Sequence, residues 1–503
     1  MGSRVRVLAV ILLLCFAGVL IQLVNIQVVQ QEKLAANPYN PIVKQARLDK
    51  SRGEILAADG TVLARSAVNP KAKRGEYRYH REYPQGALFG HLVGFDSPIY
   101  GRWGIEESYN SYLISHKQPA LSISELLNPT QATNSVQLTI LPDLQRVAEA
   151  QLKGRSGAIV ALDPTTGAIL AMYSNPGFDP NALVAPSAKV EREAWTADNT
   201  RDDQGFAPLN GMTYQRTFAP GSTFKTITSA AALEYDPGVA SKSYPQMSST
   251  PLPQTNKTLS NFGGGTCGGT LAQMLPPSCD TGFALMGLDL GGNTMNLAAT
   301  KFGYTKVPPI DIPGAAASSF PSAATLNANQ PSLAYSAIGQ QDVTATALEN
   351  ALTASAFANR GAIMTPHLMM QVRDQQGRLV TAYEPHLWLQ ATTPEVASQV
   401  AALMEQVVTQ GTAAGVGFLP QDQVAAKTGT AQTGNATNDT HNWMILFAPA
   451  SNPVVAIAVV MPFQPTSGTG AEVAGPIARC MVEAALAIHN HQPPTGTSTT
   501  CPA

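Results

Sequence analysis

Charge is scarce in this chain of 503 residues. Lys and Arg number 32 and Asp and Glu 34, so charged residues make up 13% and the net charge is −2. No long run of either sign occurs, which excludes a nucleic-acid partner bound through a basic face. Histidines number eight and cysteines five. They form no cluster at metal-ligand spacing, so neither a metal nor another cofactor is expected. Internal repeats are absent. Hydrophobic residues supply 44%. That share excludes a disordered chain and suggests roughly two to four packed domains.

One long apolar run is present. It extends from Val7 to Val24, interrupted by Gln22 and prolonged by Ile26, Val28 and Val29. Roughly 20 helical residues cross a bilayer core of about 30 Å. Arg4 and Arg6 precede the run. The positive-inside rule therefore puts residues 1–6 in the cytoplasm, residues 7–29 in the cell membrane as a single-pass anchor, and the rest outside the cytoplasm. A cleaved signal peptide is the alternative, but the run is long for one and no Ala-x-Ala site follows it. Cys15 falls inside the anchor. Cys267, Cys279, Cys480 and Cys501 fall in a compartment that permits disulfides. Proximity favours Cys267 with Cys279 and Cys480 with Cys501, out of three possible pairings, with free thiols as the alternative.

Residues 30–45 look like a stalk. Arg52 to Ala64 reads as two short strands around the Asp59-Gly60 turn. Residues 115–135 are polar and read as a loop. From Ser156 the pattern changes to a hairpin, Gly157–Leu162 and Gly167–Tyr173, joined by Asp163-Pro164-Thr165-Thr166. Residues 238–270 are rich in Gly, Pro, Ser and Thr and read as loops. Leu333–Ala358 is Ala-rich and reads as one helix. Glu395–Gln410 and Pro476–His489 read as helices, and Trp443–Pro449 with Val454–Met461 as strands. His441 and Trp443 read as core or rim residues, with a substrate contact at His441 as the alternative. Residues 491–503 form a Pro/Thr/Ser-rich tail. The whole is an α+β architecture with an antiparallel sheet.

Three short motifs carry chemistry. Pro220-Gly221 breaks the chain before Ser222-Thr223-Phe224-Lys225, and an apolar helix over Thr226–Leu233 follows, stopped by Asp236-Pro237-Gly238. Residues i and i+3 share a helix face, so Lys225 lies one turn from the Ser222 hydroxyl. A serine hydroxyl needs a base to become a nucleophile, and burial lowers a lysine's pKa enough to make it one. The other two motifs are Ser278-Cys279-Asp280, ahead of apolar Gly282–Leu288, and Lys427-Thr428-Gly429-Thr430, inside strand-like Val424–Gln432. Singly each has a plainer use. Ser222 and Ser278 suit helix N-caps, and Thr428 suits a strand. Chance occurrence of all three in this order is far rarer than of any one.

Apart from Asp280, the order of these motifs resembles the Ser-x-x-Lys, Ser-x-Asn, Lys-Thr-Gly order of serine penicillin-recognising enzymes. Arg52-Gly53-x-Ile55, Tyr83-Pro84-x-Gly86 and Gly101-x-x-Gly104-Ile105-Glu106 resemble the pedestal of class B penicillin-binding proteins. Tyr214 to Lys225, Ala337-Ile338-Gly339-Gln340 and Asn359-x-Gly361 resemble their transpeptidase domain. The similarity covers nearly the whole chain and is strongest to the penicillin-binding protein A subgroup. It implies a dimerisation-like pedestal over residues 30–155 and a transpeptidase domain over residues 156–490, its central antiparallel sheet flanked by helices. It also implies a serine D,D-transpeptidase that cross-links peptidoglycan stem peptides through a Ser222 acyl-enzyme on a D-alanyl-D-alanine donor. β-Lactams would acylate the same serine. By the resemblance, Lys225 is the base and Ser278 passes a proton to the leaving amine. Lys427, Thr428, Gly429 and Thr430 hold the substrate, and the N–H groups of Ser222 and Thr430 form the oxyanion hole. Membrane proteins of division or elongation are the implied partners.

Asp280 departs from the usual Asn. A carboxylate only accepts hydrogen bonds, and beside Lys225 it favours the protonated lysine, so a slower or alkaline-shifted acylation is expected. Rival readings are a D,D-carboxypeptidase or β-lactamase on the same fold, and a weakly catalytic division scaffold or muropeptide-binding receptor. The N-terminal region up to about residue 150 lacks a Glu-Asp-x-x-Phe signature, which argues against a glycosyltransferase there.

Overall fold

The computed structural model describes residues 2–30, 50–70, 77–117, 131–435, 437 and 439–492. The expected stalk, apart from Gln30, lies outside these residues, as does the tail from residue 493, which holds Cys501. Gly2–Val24 is one α-helix, continued by a wider-wound turn over Asn25–Val29, and none of its 23 residues is buried. At 1.5 Å per residue it is about 35 Å long, enough to cross a bilayer core. Its apolar span, Gly2–Gln27, reaches a mean hydropathy of 3.0.

After it comes a six-stranded sheet, in the order Leu379–Ala382, Met369–Arg373, Ser135–Leu138, Ile55–Leu56, Val62–Val68, Tyr79–Glu82. The Asp59-Gly60 turn joins two of these strands as expected, with Asp59 Oδ1 accepting from the Thr61 N–H at 2.8 Å. Within the loop expected over 115–135, His116–Lys117 pairs with Gln131–Ala132, and the strand Ser135–Leu138 begins where that loop ends. Its alternation, Val136 and Leu138 in and the polar residues half out, is that of a half-buried strand. It pairs with Ile55–Leu56 on one side and Met369–Arg373 on the other, with Val136 opposite Val372. A hairpin from far along the chain thus completes the N-terminal sheet.

Arg81, on the outermost strand Tyr79–Glu82, belongs to a knot of buried charge. Glu106 is fully buried and accepts from Arg81 Nε at 2.5 Å, Tyr83 Oη at 3.3 Å and Arg52 Nη2 and Nε at 2.7 and 3.1 Å. Asp96 lies 3.4 Å from Arg52. Arg52, Tyr83 and Glu106 come from the three pedestal motifs, which meet here.

The second sheet has five antiparallel strands, in the order Ile169–Asn175, Gly157–Leu162, Val455–Gln464, Thr440–Ala448, Ala425–Gln432. Gly157–Leu162 and Thr440–Ala448 are buried at every residue, as strands covered on both faces must be. Helix Ala347–Ala358 packs on the middle strands, and helices Gly475–His489 and Pro142–Leu152 pack together against the sheet as well. The expected hairpins, and the helices near 395–410 and 476–489, are present.

Two readings are corrected. Leu333–Ala358 is not one helix but two, Gln330–Ser336 and Ala347–Ala358. The break holds Gly339 at φ 72°, where a Cβ would come within 2.2 Å of Gly221 O, and the second helix starts afresh with the Thr346 side chain accepting from Glu349 N–H. The break therefore lies against the turn that carries Ser222. Residues 238–270 are not all loop. Tyr244–Met247 pairs with Cys267–Gly269, and Ser249–Pro251 with Thr258–Ser260, forming a small flap anchored by buried Tyr244, Leu252 and Leu259.

Candidate active site

Gly221–Phe224 forms a tight 3-10 turn that leads directly into the helix Lys225–Tyr235. The turn is fixed from several sides. Gly221 N–H donates to Gly339 O at 2.9 Å, Trp443 Nε1 donates to Ala219 O at 2.8 Å, and Phe224 stacks on Phe320 and meets Tyr304 edge-on. Ser222 makes no cap hydrogen bond at the helix start, and it lines a cleft of about 1170 Å³.

Behind it, Lys225 is wholly buried and places all three ammonium donors: Asp280 Oδ1 at 2.6 Å, Ser278 O at 2.7 Å and Ser278 Oγ at 3.2 Å. Lys427, also wholly buried, donates to Ser278 Oγ at 2.8 Å and to Thr428 O at 2.9 Å. One hydroxyl thus lies between two lysines. Ser278 does not cap the helix Asp280–Lys301. That helix starts from Cys279 with no side-chain cap, and Ser278 has a positive φ of 62°, in the left-handed region that a non-glycine residue seldom adopts. The conformation turns both its carbonyl and its hydroxyl to the lysines.

Burial lowers the pKa of Lys225, against the upward pull of Asp280. Burial lowers that of Lys427 far more, helped by the charge of Lys225 and opposed by Asp280. Asp280 acts on Lys225 in the expected direction, but the net shift is downward, because complete burial of an ammonium outweighs one carboxylate beside it. The second oxygen, Asp280 Oδ2, accepts from Phe262 N–H at 2.9 Å.

Thr428, Gly429 and Thr430 lie on the edge strand Ala425–Gln432. Thr428, Thr430 and Gln432 alternate along it and line the cleft, while Lys427 reaches Ser278 from the other row. Thr430 Oγ1 accepts from Gly470 N–H at 3.0 Å, and Thr428 Oγ1 lies 2.6 Å from Thr412 Oγ1. The structure thus brings together Ser278, Asp280, Lys225 and Lys427 in one hydrogen-bonded group, with Ser222, Thr428 and Thr430 along the same cleft.

The flap contributes Lys257, Asn261 and Phe262 to the lining of the cleft. A disulfide joins Cys267 to Cys279, and Asn261 Oδ1 accepts from Thr281 N–H at 2.9 Å. The flap is therefore tied to the Ser278-Cys279-Asp280 motif at Cys279, Asp280 and Thr281. Of the second expected pair, Cys480 is buried in the helix Gly475–His489, and Cys501 lies outside the described residues. His441 does not reach the cleft lining. It is buried between Phe218 and Phe463, and burial lowers its pKa to about 4. Trp443 is core. Thr412, Asn261 and Phe262 carry no motif signal and were not legible in the sequence.

Comparison with known proteins yields consistent matches. The family described as the penicillin binding protein transpeptidase domain matches residues 157–483, and the penicillin binding protein A dimerisation domain matches residues 52–135. The chain is 34% identical over 509 aligned residues to the peptidoglycan D,D-transpeptidase PbpA of Mycolicibacterium smegmatis, covering 97% of this chain and 99% of that protein. Penicillin-binding protein A from Mycobacterium tuberculosis, solved as a ceftriaxone acyl-enzyme, superposes with a TM-score of 0.79 at 30% identity over 88% of this chain and 100% of that one. The D,D-transpeptidase domain of a peptidoglycan glycosyltransferase from Eggerthella lenta superposes with a TM-score of 0.74 at 32% identity over 88% and 99%.

Proposed function

This chain belongs to the penicillin-binding protein transpeptidase family, and from that premise we propose that it is a membrane-anchored serine D,D-transpeptidase that cross-links peptidoglycan stem peptides. The observation that carries the reading is the meeting of Lys225 and Lys427 on the hydroxyl of Ser278, beside a cleft that Ser222 lines.

Ser222 Oγ attacks the carbonyl carbon of the penultimate D-alanine, and its proton passes to Lys225 in the neutral form. The N–H groups of Ser222 and Thr430 receive the developing oxyanion; removal of one such donor typically costs about 3 kcal/mol in the barrier. The bond to the terminal D-alanine breaks, and its nitrogen takes a proton through Ser278. D-Alanine leaves an acyl-enzyme. The amine of a neighbouring stem peptide then attacks the ester, loses a proton to the same relay, and returns Ser222 to its hydroxyl form. Lys427, Thr428 and Thr430 hold the donor's terminal carboxylate, with Gly429 between them on the strand. β-Lactams mimic the donor at Ser222.

On this reading residues 30–155 are a pedestal and residues 156–490 the catalytic domain. Arg4 and Arg6 keep the short tail in the cytoplasm, and the catalytic domain faces outward. Division or elongation proteins of the membrane would dock on the pedestal or anchor. A second reading is favoured by the engagement of all three Lys225 donors away from Ser222: a muropeptide-binding division scaffold with slow turnover, or a carboxypeptidase.

The test uses the full chain in detergent with a fluorescent penicillin, then with synthetic donor and acceptor peptides. Labelling that is lost in Ser222→Ala, and a cross-linked dimer by mass spectrometry, are expected. A trimmed peptide alone would make it a carboxypeptidase. Complementation of a deletion strain by Ser222→Ala would support the scaffold.

A further inference from the structure

Thr412 has a placement that the three motifs do not explain. It follows the end of the helix Pro394–Gln410, and two contacts anchor it to the chain just before Ser278. Thr412 N–H donates to Pro276 O at 3.0 Å, and at Gly411 a Cβ would come within 2.4 Å of that same oxygen, so the close approach needs glycine. From this anchor the Thr412 side chain crosses to the edge strand, where its Oγ1 lies 2.6 Å from Thr428 Oγ1. Both residues line the cleft. Thr412 therefore links the Ser278 side of the cleft to the Lys427–Thr430 side.

Each hydroxyl has one proton and two lone pairs. Between two hydroxyls, one proton occupies the bond and the other is free. If Thr428 donates to Thr412, Thr428 offers only an acceptor to the cleft. If Thr412 donates to Thr428, the Thr428 proton is free to point at a ligand. A carboxylate is an acceptor only, so its arrival selects the second arrangement. The chain Thr412 O–H to Thr428 O–H to carboxylate then becomes mutually polarised.

We propose that Thr412 is a positioning residue: it donates to Thr428 Oγ1 and so turns the Thr428 hydroxyl proton toward the terminal carboxylate of the substrate. This rests on the transpeptidase reading, because it needs a carboxylate-bearing substrate or its β-lactam mimic in the cleft. Thr412 sets recognition of that carboxylate and takes no part in bond making at Ser222.

The experiment follows acylation of the detergent-solubilised full chain by penicillin G and by its methyl ester, in the parent, Thr412→Val and Thr412→Ser. Saturation kinetics separate the affinity of the first complex from the rate of the covalent step. Thr412→Val keeps the shape and removes the hydroxyl; Thr412→Ser keeps the hydroxyl. For Thr412→Val the acid is expected to lose about tenfold in efficiency, mostly in affinity. The ester is expected to be unaffected, and Thr412→Ser to behave like the parent. An equal loss for acid and ester, which is what mere packing predicts, overturns the inference. So does an acid-to-ester preference that Thr412→Val leaves untouched, or a Thr412→Ser variant as impaired as Thr412→Val. A parent that reacts with neither compound removes the transpeptidase reading as well.

Discussion

Two knots of buried charge stand out among the described residues, and they use different cations. At the N-terminal sheet, Arg52 and Arg81 grip Glu106, with Asp96 alongside. In the cleft, Lys225 and Lys427 surround Ser278 with a single carboxylate, Asp280. A guanidinium keeps its proton at any ordinary pH, so a buried arginine must be met by fixed acceptors. Glu106 supplies them. Burial would raise its pKa, but Arg81 and Arg52 outweigh that and hold it below the usual carboxylate range. An ammonium can escape the cost of burial by giving up its proton. With two lysines to one carboxylate among the described residues, the cleft leaves cations under-matched, and burial lowers both lysines. The first knot is a joint between motifs. The second is a place where a proton can move.

The largest expected effect breaks the joint. Glu106→Gln leaves two buried guanidiniums with a partner that can accept at only one oxygen. We expect a loss of about 3–5 kcal/mol in unfolding free energy, measured by denaturant titration of the solubilised chain, with penicillin labelling of the folded fraction little changed. An unchanged midpoint would show the pairing to be energetically idle.

Glu349 sharpens the same comparison, because it is a carboxyl with neither kind of partner. It is wholly buried, neither carboxyl oxygen has a hydrogen bond among the described residues, and burial pushes its pKa up to about 8. The folded chain then holds a proton that the unfolded chain releases above about pH 4.5. The stability this group contributes is full below that pH and is lost progressively as pH rises toward about 8, at up to about 1.4 kcal/mol per pH unit. Glu349→Gln should flatten that decline in melts taken from pH 5 to 8. A slope unchanged by the substitution would mean that Glu349 is already ionised in the fold.

The smallest expected effect on stability belongs to Asp280→Asn. The lysine left behind can shed its proton, which Arg52 and Arg81 cannot do after loss of Glu106. Its unfolding midpoint should stay close to that of the parent while the chemistry of the cleft changes.

Much of this was legible in the sequence, for local reasons. Ser222 and Lys225 lie one turn apart, and Ser278 and Lys427 belong to short fixed patterns. Cys267 and Cys279 are near enough in sequence to pair, and they do. What was missed depends on distance or depth. The pairing of Val136 with Val372 joins segments with no shared local pattern. The flap's short strands carry no period that stands out from Gly, Pro, Ser and Thr. The break at Gly339 hides in an Ala-rich run, because its cause is the approach of Gly221 O from another segment. Thr412 is a lone threonine after a helix. Both influences on Lys225 were legible, but not which one wins, because a neighbouring carboxylate can be read from a motif whereas complete burial cannot.

The central claim is that Asp280 holds a proton on Lys225 that burial works to remove. The pH dependence of Ser222 acylation by penicillin, in the parent and in Asp280→Asn, tests it directly. Asp280 raises the pKa of Lys225, so removing the carboxylate lowers that pKa further; in the proposed mechanism acylation uses the neutral amine. The account predicts that the acid limb of the profile moves to lower pH in Asp280→Asn, with faster acylation at neutral pH. An acid limb that stays in place, or moves to higher pH, would contradict it.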